Sequence, residues 1–359
     1  MDIVLVFVLV IALTASISFA FLYLLRVTPV VYATAATRVK AARLMTEKDY
    51  EELLSRDLED FPSFFDDTDY GKYITESRYE DIERGLLRYE KDMDYELFGL
   101  IPKNWSGAFD FLIKKWDIAN LRRVLLGIHA DIPEEEVRES LVDAGYMYDT
   151  ILGLVGRDMD GVVSALADTA YDIREGLEEY KMSKNYSFID LLLEKRMFES
   201  VVAGVAQSGE RKLKILNEYL QVLAESLDLK AMLRGKASGV SAEEMRRFLM
   251  KIEVEREYEE TKDVKEFLVR LMDTRYSYLI ENGGVREGEG GDIMDIERKI
   301  ETQVLRKGKE LTVAEAFGLG PVISFLVMKE VEIRNIRLIA KSKADGVSAE
   351  KIREHLLIL

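Results

Sequence analysis

The chain has 359 residues, a formal net charge of −16 and no cysteine, and 48% of its residues are hydrophobic. This composition is that of a globular protein with hydrophobic cores, and it excludes disulfides, thiolate nucleophiles and zinc–thiolate sites. The negative charge argues against nucleic acid as a partner of the soluble part.

The first element is an uncharged segment at residues 3–25, which contains 23 consecutive residues without a charge. A helix of this length spans a hydrocarbon layer roughly 30 Å thick. Four bases follow the segment: Arg26, Arg38, Lys40 and Arg43. Because bases are enriched on the cytoplasmic side of membrane helices, we predict a single-pass anchor in the cell membrane with the body in the cytoplasm.

A cleaved signal peptide is the alternative interpretation, since Ala33-Thr34-Ala35 has a small-x-small pattern. The apolar run is long for such a peptide, and no basic side chain precedes it. Ala12, Ser16 and Ala20 form a ladder of small residues that permits close helix packing in lipid, although ordinary membrane-helix composition explains it equally well. We expect Pro29 to end the helix.

The rest of the chain is predicted to be almost purely helical. It has only five prolines, and apolar residues recur at a spacing near 3.6 over residues 73–99 and 107–128. The acidic stretch 60–70, which contains Pro62, is typical of a turn between helices. No convincing stretch alternates with period two.

One pattern occurs three times, at intervals of 108 and 107 residues. It consists of an acid, Asn or Asp three residues later, an aliphatic residue and then a base. The copies contain Asp117, Asn120 and Arg122; Glu225, Asp228 and Lys230; and Glu332, Asn335 and Arg337. We predict three similar helical repeats at residues 32–147, 148–253 and 254–359, after an amino-terminal helix and linker at 1–31.

Each copy continues into the start of a second helix. Ser241 and Glu244 are spaced as a capping box, in which the two side chains satisfy free backbone N–H groups. Pro133 and Ser348 hold the equivalent place in the other copies. The repeated polar residues are predicted to tie each long helix to the next as buried structural residues, rather than to contact a partner directly.

The candidates for catalysis or ligand binding are weak. The glycine-rich stretch 282–291 lacks the lysine of a phosphate-binding loop and contains acids. Asp66-Asp67 and the acids 134–136 are typical of a solvated turn and a helix start. His129 has no counterpart in the other copies, which favours a surface or packing role for it. We therefore expect no catalytic residue, no cofactor and no metal.

Four segments resemble the family of the C subunit of archaeal A-type (V/A-type) ATP synthases, which is related to the d subunit of vacuolar ATPases. They are residues 32–44 (YATAATRVKAARL), 46–54 (TEKDYEELL), 114–122 (KKWDIANLR) and 332–339 (EIRNIRLI). The resemblance covers residues 32–359, and the threefold repeat is itself a family trait.

The resemblance implies a non-catalytic rotor subunit of the central stalk. Its three helical lobes would form a pseudo-threefold funnel that sits on the proteolipid ring (the K/c subunits) and receives the central shaft of subunits D and F. It would transmit torque between ion translocation and ATP synthesis or hydrolysis without binding nucleotide.

Residues 1–31 depart from the family pattern. The first helix is expected either to lie in the ring axis or only to tether the chain. Two other functions remain open: a membrane-anchored helical-repeat adaptor of another complex, and a cytoplasm-facing enzyme.

Overall fold

The computed structural model describes residues 3–208, 213–251, 254–277, 293–313 and 319–358. Every regular element within these ranges is helical, so the prediction of an all-α fold is confirmed. The α-helices in chain order are α1 (Ile3–Ala41), α2 (Glu47–Ser55), α3 (Phe61–Phe65), α4 (Tyr79–Leu100), α5 (Ser106–Phe109), α6 (Phe111–His129), α7 (Glu134–Ser140), α8 (Tyr148–Leu152), α9 (Met159–Leu166), α10 (Arg174–Ser183), α11 (Ser187–Ser208), α12 (Lys214–Ala237), α13 (Ala242–Arg246), α14 (Glu255–Glu259), α15 (Val264–Met272), α16 (Ile293–Val313), α17 (Gly320–Ala344) and α18 (Ala349–His355). Short 3-10 helices cover Leu58–Asp60 and Lys103–Trp105.

Helix α1 runs for 39 residues and contains Pro29 in its interior. The expectation that Pro29 ends this helix is wrong. A proline inside a helix costs roughly 3 kcal/mol, because it removes one backbone hydrogen bond and crowds the preceding turn. Packing of the carboxyl-terminal half offsets this cost: Ala33 and Thr37 are buried, and this part of α1 lies against α17.

Within the described residues, one helical segment, Ser16–Ala41, is long and apolar enough to cross a membrane. Its side chains from Ile17 to Leu25 are exposed. Of the predicted packing ladder, Ser16 and Ala20 are exposed, and the side chain of Ala12 lies outside the described residues. The role of this face stays a prediction.

The buried apolar side chains that the structure describes form three clusters. The first joins the two ends of the body, because it combines mainly residues 33–112 with residues 319–357. The second is built mainly from residues 118–193, and the third from residues 229–304. Full burial of one large apolar side chain contributes about 1.5–3 kcal/mol. The boundaries of the three repeats and the funnel of three lobes stay predictions.

The three helices that carry the repeated pattern each pack against another long helix. Helix α6 lies against α11, α12 against α16, and α17 against α4. The helices α4, α11 and α16 therefore hold equivalent positions relative to the repeated pattern. The glycine-rich stretch 282–291 lies outside the described residues.

Gly204 allows α11 to approach α5 closely. A Cβ placed on Gly204 would lie 2.0 Å from the carbonyl oxygen of Gly107. Since that oxygen belongs to the backbone, it moves only if the helix moves. Gly99, on α4, has no atom within 4 Å of an added Cβ.

We predict that Gly204→Ala lowers the free energy of unfolding by about 1–3 kcal/mol, because the two helices must separate. Gly99→Ala is the matched control and leaves stability unchanged or raises it by up to about 1 kcal/mol, since alanine favours helix. Chemical denaturation of the full chain in detergent, followed by circular dichroism, measures both. Equal stability of the two variants would contradict the close approach.

Candidate functional site

The acids of the first and third copies are buried and hold two separate segments of the chain. Asp117 accepts hydrogen bonds from the backbone N–H of Met147, at 2.8 Å, and from the hydroxyl of Tyr171, at 2.7 Å. Glu332 accepts from the N–H of Met45 and from the hydroxyl of Tyr70, both at 2.6 Å. The two acids therefore use the same kinds of donor.

Burial is the main cause of the pKa shifts in these contacts. It raises the pKa of Asp117, while the N–H of Met147 and the hydroxyl of Tyr171 oppose the shift. It also raises the pKa of Tyr70 and of Tyr171 above the usual range. Both phenols thus remain protonated donors at neutral pH.

The tyrosines belong to a repeated motif that the sequence analysis missed. Asp-Thr-x-Tyr occurs at residues 67–70, 168–171 and 273–276. In each copy the threonine hydroxyl donates to a carbonyl three residues earlier, and it accepts the N–H of the tyrosine. The recurring letters could have revealed the motif, but its intervals of 101 and 105 residues differ from those of the first pattern.

The Asn or Asp of each copy contacts the backbone 22 residues later. Asn120 accepts the N–H of Val142 at 2.9 Å and donates to its carbonyl at 2.8 Å. Asn335 makes the same pair of bonds with Leu357, at 3.0 and 2.8 Å. In the second copy Asp228 accepts the N–H groups of Met250 and Lys251. A carboxylate offers acceptors only, which accounts for the different partners.

The base of each copy forms ion pairs with the long helix beside it. Arg122 pairs with Asp190 and Glu194 on α11. Lys230 lies 3.0 Å from Glu301 on α16, and Arg337 lies 2.7 Å from Glu83 on α4. Each pair is partly buried, so solvent screens it less than a surface pair.

These contacts connect the three copies in a closed circuit, in which the third copy binds residues near the start of the chain. The partners of the first copy come from later in the chain, whereas those of Glu332 and Arg337 come from near the start. The third copy thus closes on the first segment rather than on a further repeat. The second copy is different again: Arg275 donates to the hydroxyl of Tyr276 and lies 4.0 Å from Glu225.

A central cavity of about 390 Å³ lies where the long helices meet. Its lining comes from Leu357 and from α4, α6, α11, α12, α16 and α17, which are the six helices of the three pairs. It includes two of the repeated bases, Arg122 and Lys230. Its volume is within the range of pockets that hold a small ligand, roughly 300–1,000 Å³.

Asp94 is a fully buried carboxylate on the cavity wall. Lys115 lies 2.7 Å from it, and the indole of Trp116 donates to it at 3.0 Å. Burial raises the pKa of Asp94 to about 7, although Lys115 opposes that shift. One of its oxygens, Oδ1, has no hydrogen-bond partner within the described residues.

The other residues singled out in the sequence lie apart from the cavity lining. His129 Nδ1 is 3.0 Å from the hydroxyl of Tyr180, and its ring stacks on Tyr186. The acids 134–136 form the first turn of α7. The predicted capping box of Ser241 and Glu244 is confirmed, because both of its reciprocal hydrogen bonds are present.

We predict that Asn120→Ala destabilises the protein by about 1–3 kcal/mol, since it leaves the half-buried N–H and carbonyl of Val142 without their partner. Asn217→Ala, at an exposed position of α12, is the control and changes stability little. Denaturation of the purified chain measures both. Unchanged stability together with weaker partner binding would instead indicate that Asn120 contacts a partner.

We also predict a pH effect that depends on Asp94. Its folded pKa, about 7, lies above its unfolded value, so the folded state binds more protons between these values. The free energy of unfolding therefore falls by about 1–3 kcal/mol as the pH rises from about 4 to 7. Asp94→Asn removes this fall, whereas Asp143→Asn, at an exposed position, retains it. Denaturation midpoints measured across this pH range test it; identical slopes in the two variants would refute it.

The comparisons with known proteins agree with the resemblance. Relatives named as the C subunit of A-type ATP synthase include one from Methanocaldococcus jannaschii, 28% identical over 92% of this chain and 87% of its own length. A second, from Pyrococcus abyssi, is also 28% identical, over 91% of this chain and 90% of its own length. The family model of the ATP synthase (C/AC39) subunit matches residues 33–355. The chain therefore belongs to the ATP synthase (C/AC39) subunit family.

Proposed function

We propose that this protein is a non-catalytic rotor subunit of the central stalk of an A-type ATP synthase. It joins the proteolipid ring to the shaft of subunits D and F, and it carries torque between ion translocation and ATP synthesis or hydrolysis. The family match over residues 33–355 is the observation that carries this proposal. In this role the chain itself binds no nucleotide, cofactor or nucleic acid.

The closed circuit of contacts gives this role a physical basis. A part that transmits torque must resist twisting, because a compliant part would store rotation. Ion pairs join α6 to α11, α12 to α16 and α17 to α4. Because these pairs are partly buried, solvent screens them less than surface pairs, and they resist separation of the helices. A load applied at one repeat is then shared by the others.

The funnel of three lobes remains part of the proposal. The repeats would surround the central opening, with one face on the cytoplasmic end of the ring and the mouth toward the shaft. The central cavity supports this arrangement, because all six helices of the three pairs contribute to its wall. In this interpretation the repeated polar residues are the internal brace of the lobes.

Helix α1 supports a position in the ring axis. It continues without interruption from the apolar segment into the body, where Lys40 pairs with Glu96 and Arg43 with Asp69. A helix fixed to a rotating body turns with it. If it stood outside the ring it would meet the stator once in each turn, so it belongs inside. Its basic carboxyl-terminal end supports a cytoplasmic position of the body.

A pull-down of the chain from membranes, followed by mass identification of its partners, tests this proposal. We expect the proteolipid and subunits D and F to co-purify. A variant without residues 1–25 retains the shaft subunits, because its body is intact. Purification without any ATP synthase subunit would instead support a membrane-anchored adaptor of another complex.

Crosslinkers placed at positions 13–25 test the axial position within the same preparation. We expect products with the inner surface of the proteolipid ring. Products with its outer, stator-facing surface would exclude the axial position, and products with lipid alone would leave α1 as a tether.

A further inference from the structure

We propose that Glu330, in the central cavity, recognises a basic side chain presented by the partner segment that enters there. This inference rests on the proposed function, since the entering segment is taken to be the lower end of the shaft. It adds a chemical requirement to that function: the tip must carry a lysine or an arginine.

The wall of the cavity combines apolar and charged groups. Half-buried apolar side chains form much of it: Phe111, Met197, Phe198, Leu223 and Leu326. Five acids and four bases also line it. Because the apolar part has no covering within the described body, a partner side chain can bury it.

The four bases already have acidic partners. Lys115 lies 2.8 Å from Glu90 and 2.7 Å from Asp94. Arg122 pairs with Glu194, and both Lys230 and Arg334 pair with Glu301. These pairs account for four of the five lining acids.

Glu330 is the fifth acid. Its side chain is open to the cavity, and within the described residues it makes no direct ion pair. Lys115 and Arg334 act on it from a distance, as do the like charges of Glu90 and Glu301. The side chain of Glu330 is solvent-accessible within the cavity, and desolvation by the surrounding helices raises its pKa.

A basic side chain satisfies both properties of the wall. The long aliphatic stem of lysine or arginine packs along apolar surface, while its charged end donates hydrogen bonds to carboxylates. A neutral tip would bury Glu330 without a partner, and an acidic tip would add repulsion. Glu330 thus contributes to specificity by excluding the wrong partner as well as by binding the right one.

The test is the affinity of the full chain, in detergent, for the purified assembly of subunits D and F. We expect Glu330→Gln to weaken binding about tenfold and Glu330→Lys about a hundredfold or more, because the second change introduces like charge. Added salt weakens wild-type binding and affects Glu330→Gln less. Glu259→Gln and Glu259→Lys, on the exposed end of α14, are matched controls and retain wild-type affinity.

Thermal denaturation is expected to show that the Glu330 variants fold, since this side chain makes no direct ion pair to lose among the described residues. If the wild-type chain binds the D–F assembly and both Glu330 variants bind it with the same affinity, this inference is overturned and the proposed function stays intact. Tighter binding of Glu330→Lys overturns it in favour of an acidic tip. Failure of the wild-type chain to bind the D–F assembly overturns the proposed function and this inference together.

Discussion

The body depends on one buried contact, in which Glu332 holds the end of the chain against its beginning. Its carboxylate accepts from Tyr70 and from the backbone of Met45, and Lys329 lies 2.5 Å away on the same helix. The ammonium of Lys329 is 1% exposed and lies 5.1 Å from the ring centre of Tyr70 and 5.3 Å from that of Tyr89. A charge this deep is tolerated only because a counter-charge and aromatic faces surround it.

The sequence predicted the helices better than the contacts between distant residues. The uncharged segment and the helical periodicity predicted the fold class, because both signals are local. The three acid–Asn/Asp–base copies were visible because their letters recur. The partners of Glu332 were not visible, since Met45 and Tyr70 lie 287 and 262 residues away. No local pattern records which distant backbone N–H a carboxylate will accept.

Two further features show why the remainder escaped prediction. Pro29 has the local properties of a helix end, but packing of Ala33 and Thr37 against the body overrides them. The helices that line the central cavity are spread between residues 79 and 344. That Glu330 makes no direct ion pair among the described residues is therefore visible only in three dimensions. Sequence reasoning identifies charges, and the structure shows which of them are already paired.

Closure of the body by Glu332 also constrains the order in which the protein is made. A ribosome releases residues 45 and 70 long before residue 332, so the closing contact cannot form until residue 332 has emerged. By then the apolar amino-terminal segment has long been available for insertion. Until α17 is synthesised, the N–H of Met45 and the hydroxyl of Tyr70 lack the Glu332 carboxylate as an acceptor and stay hydrated or loosely bound. Contacts between such distant residues form slowly, because a long loop must close first. The closed body therefore forms only after residue 332 has left the ribosome, and a chain truncated before residue 332 lacks the contact that closes it.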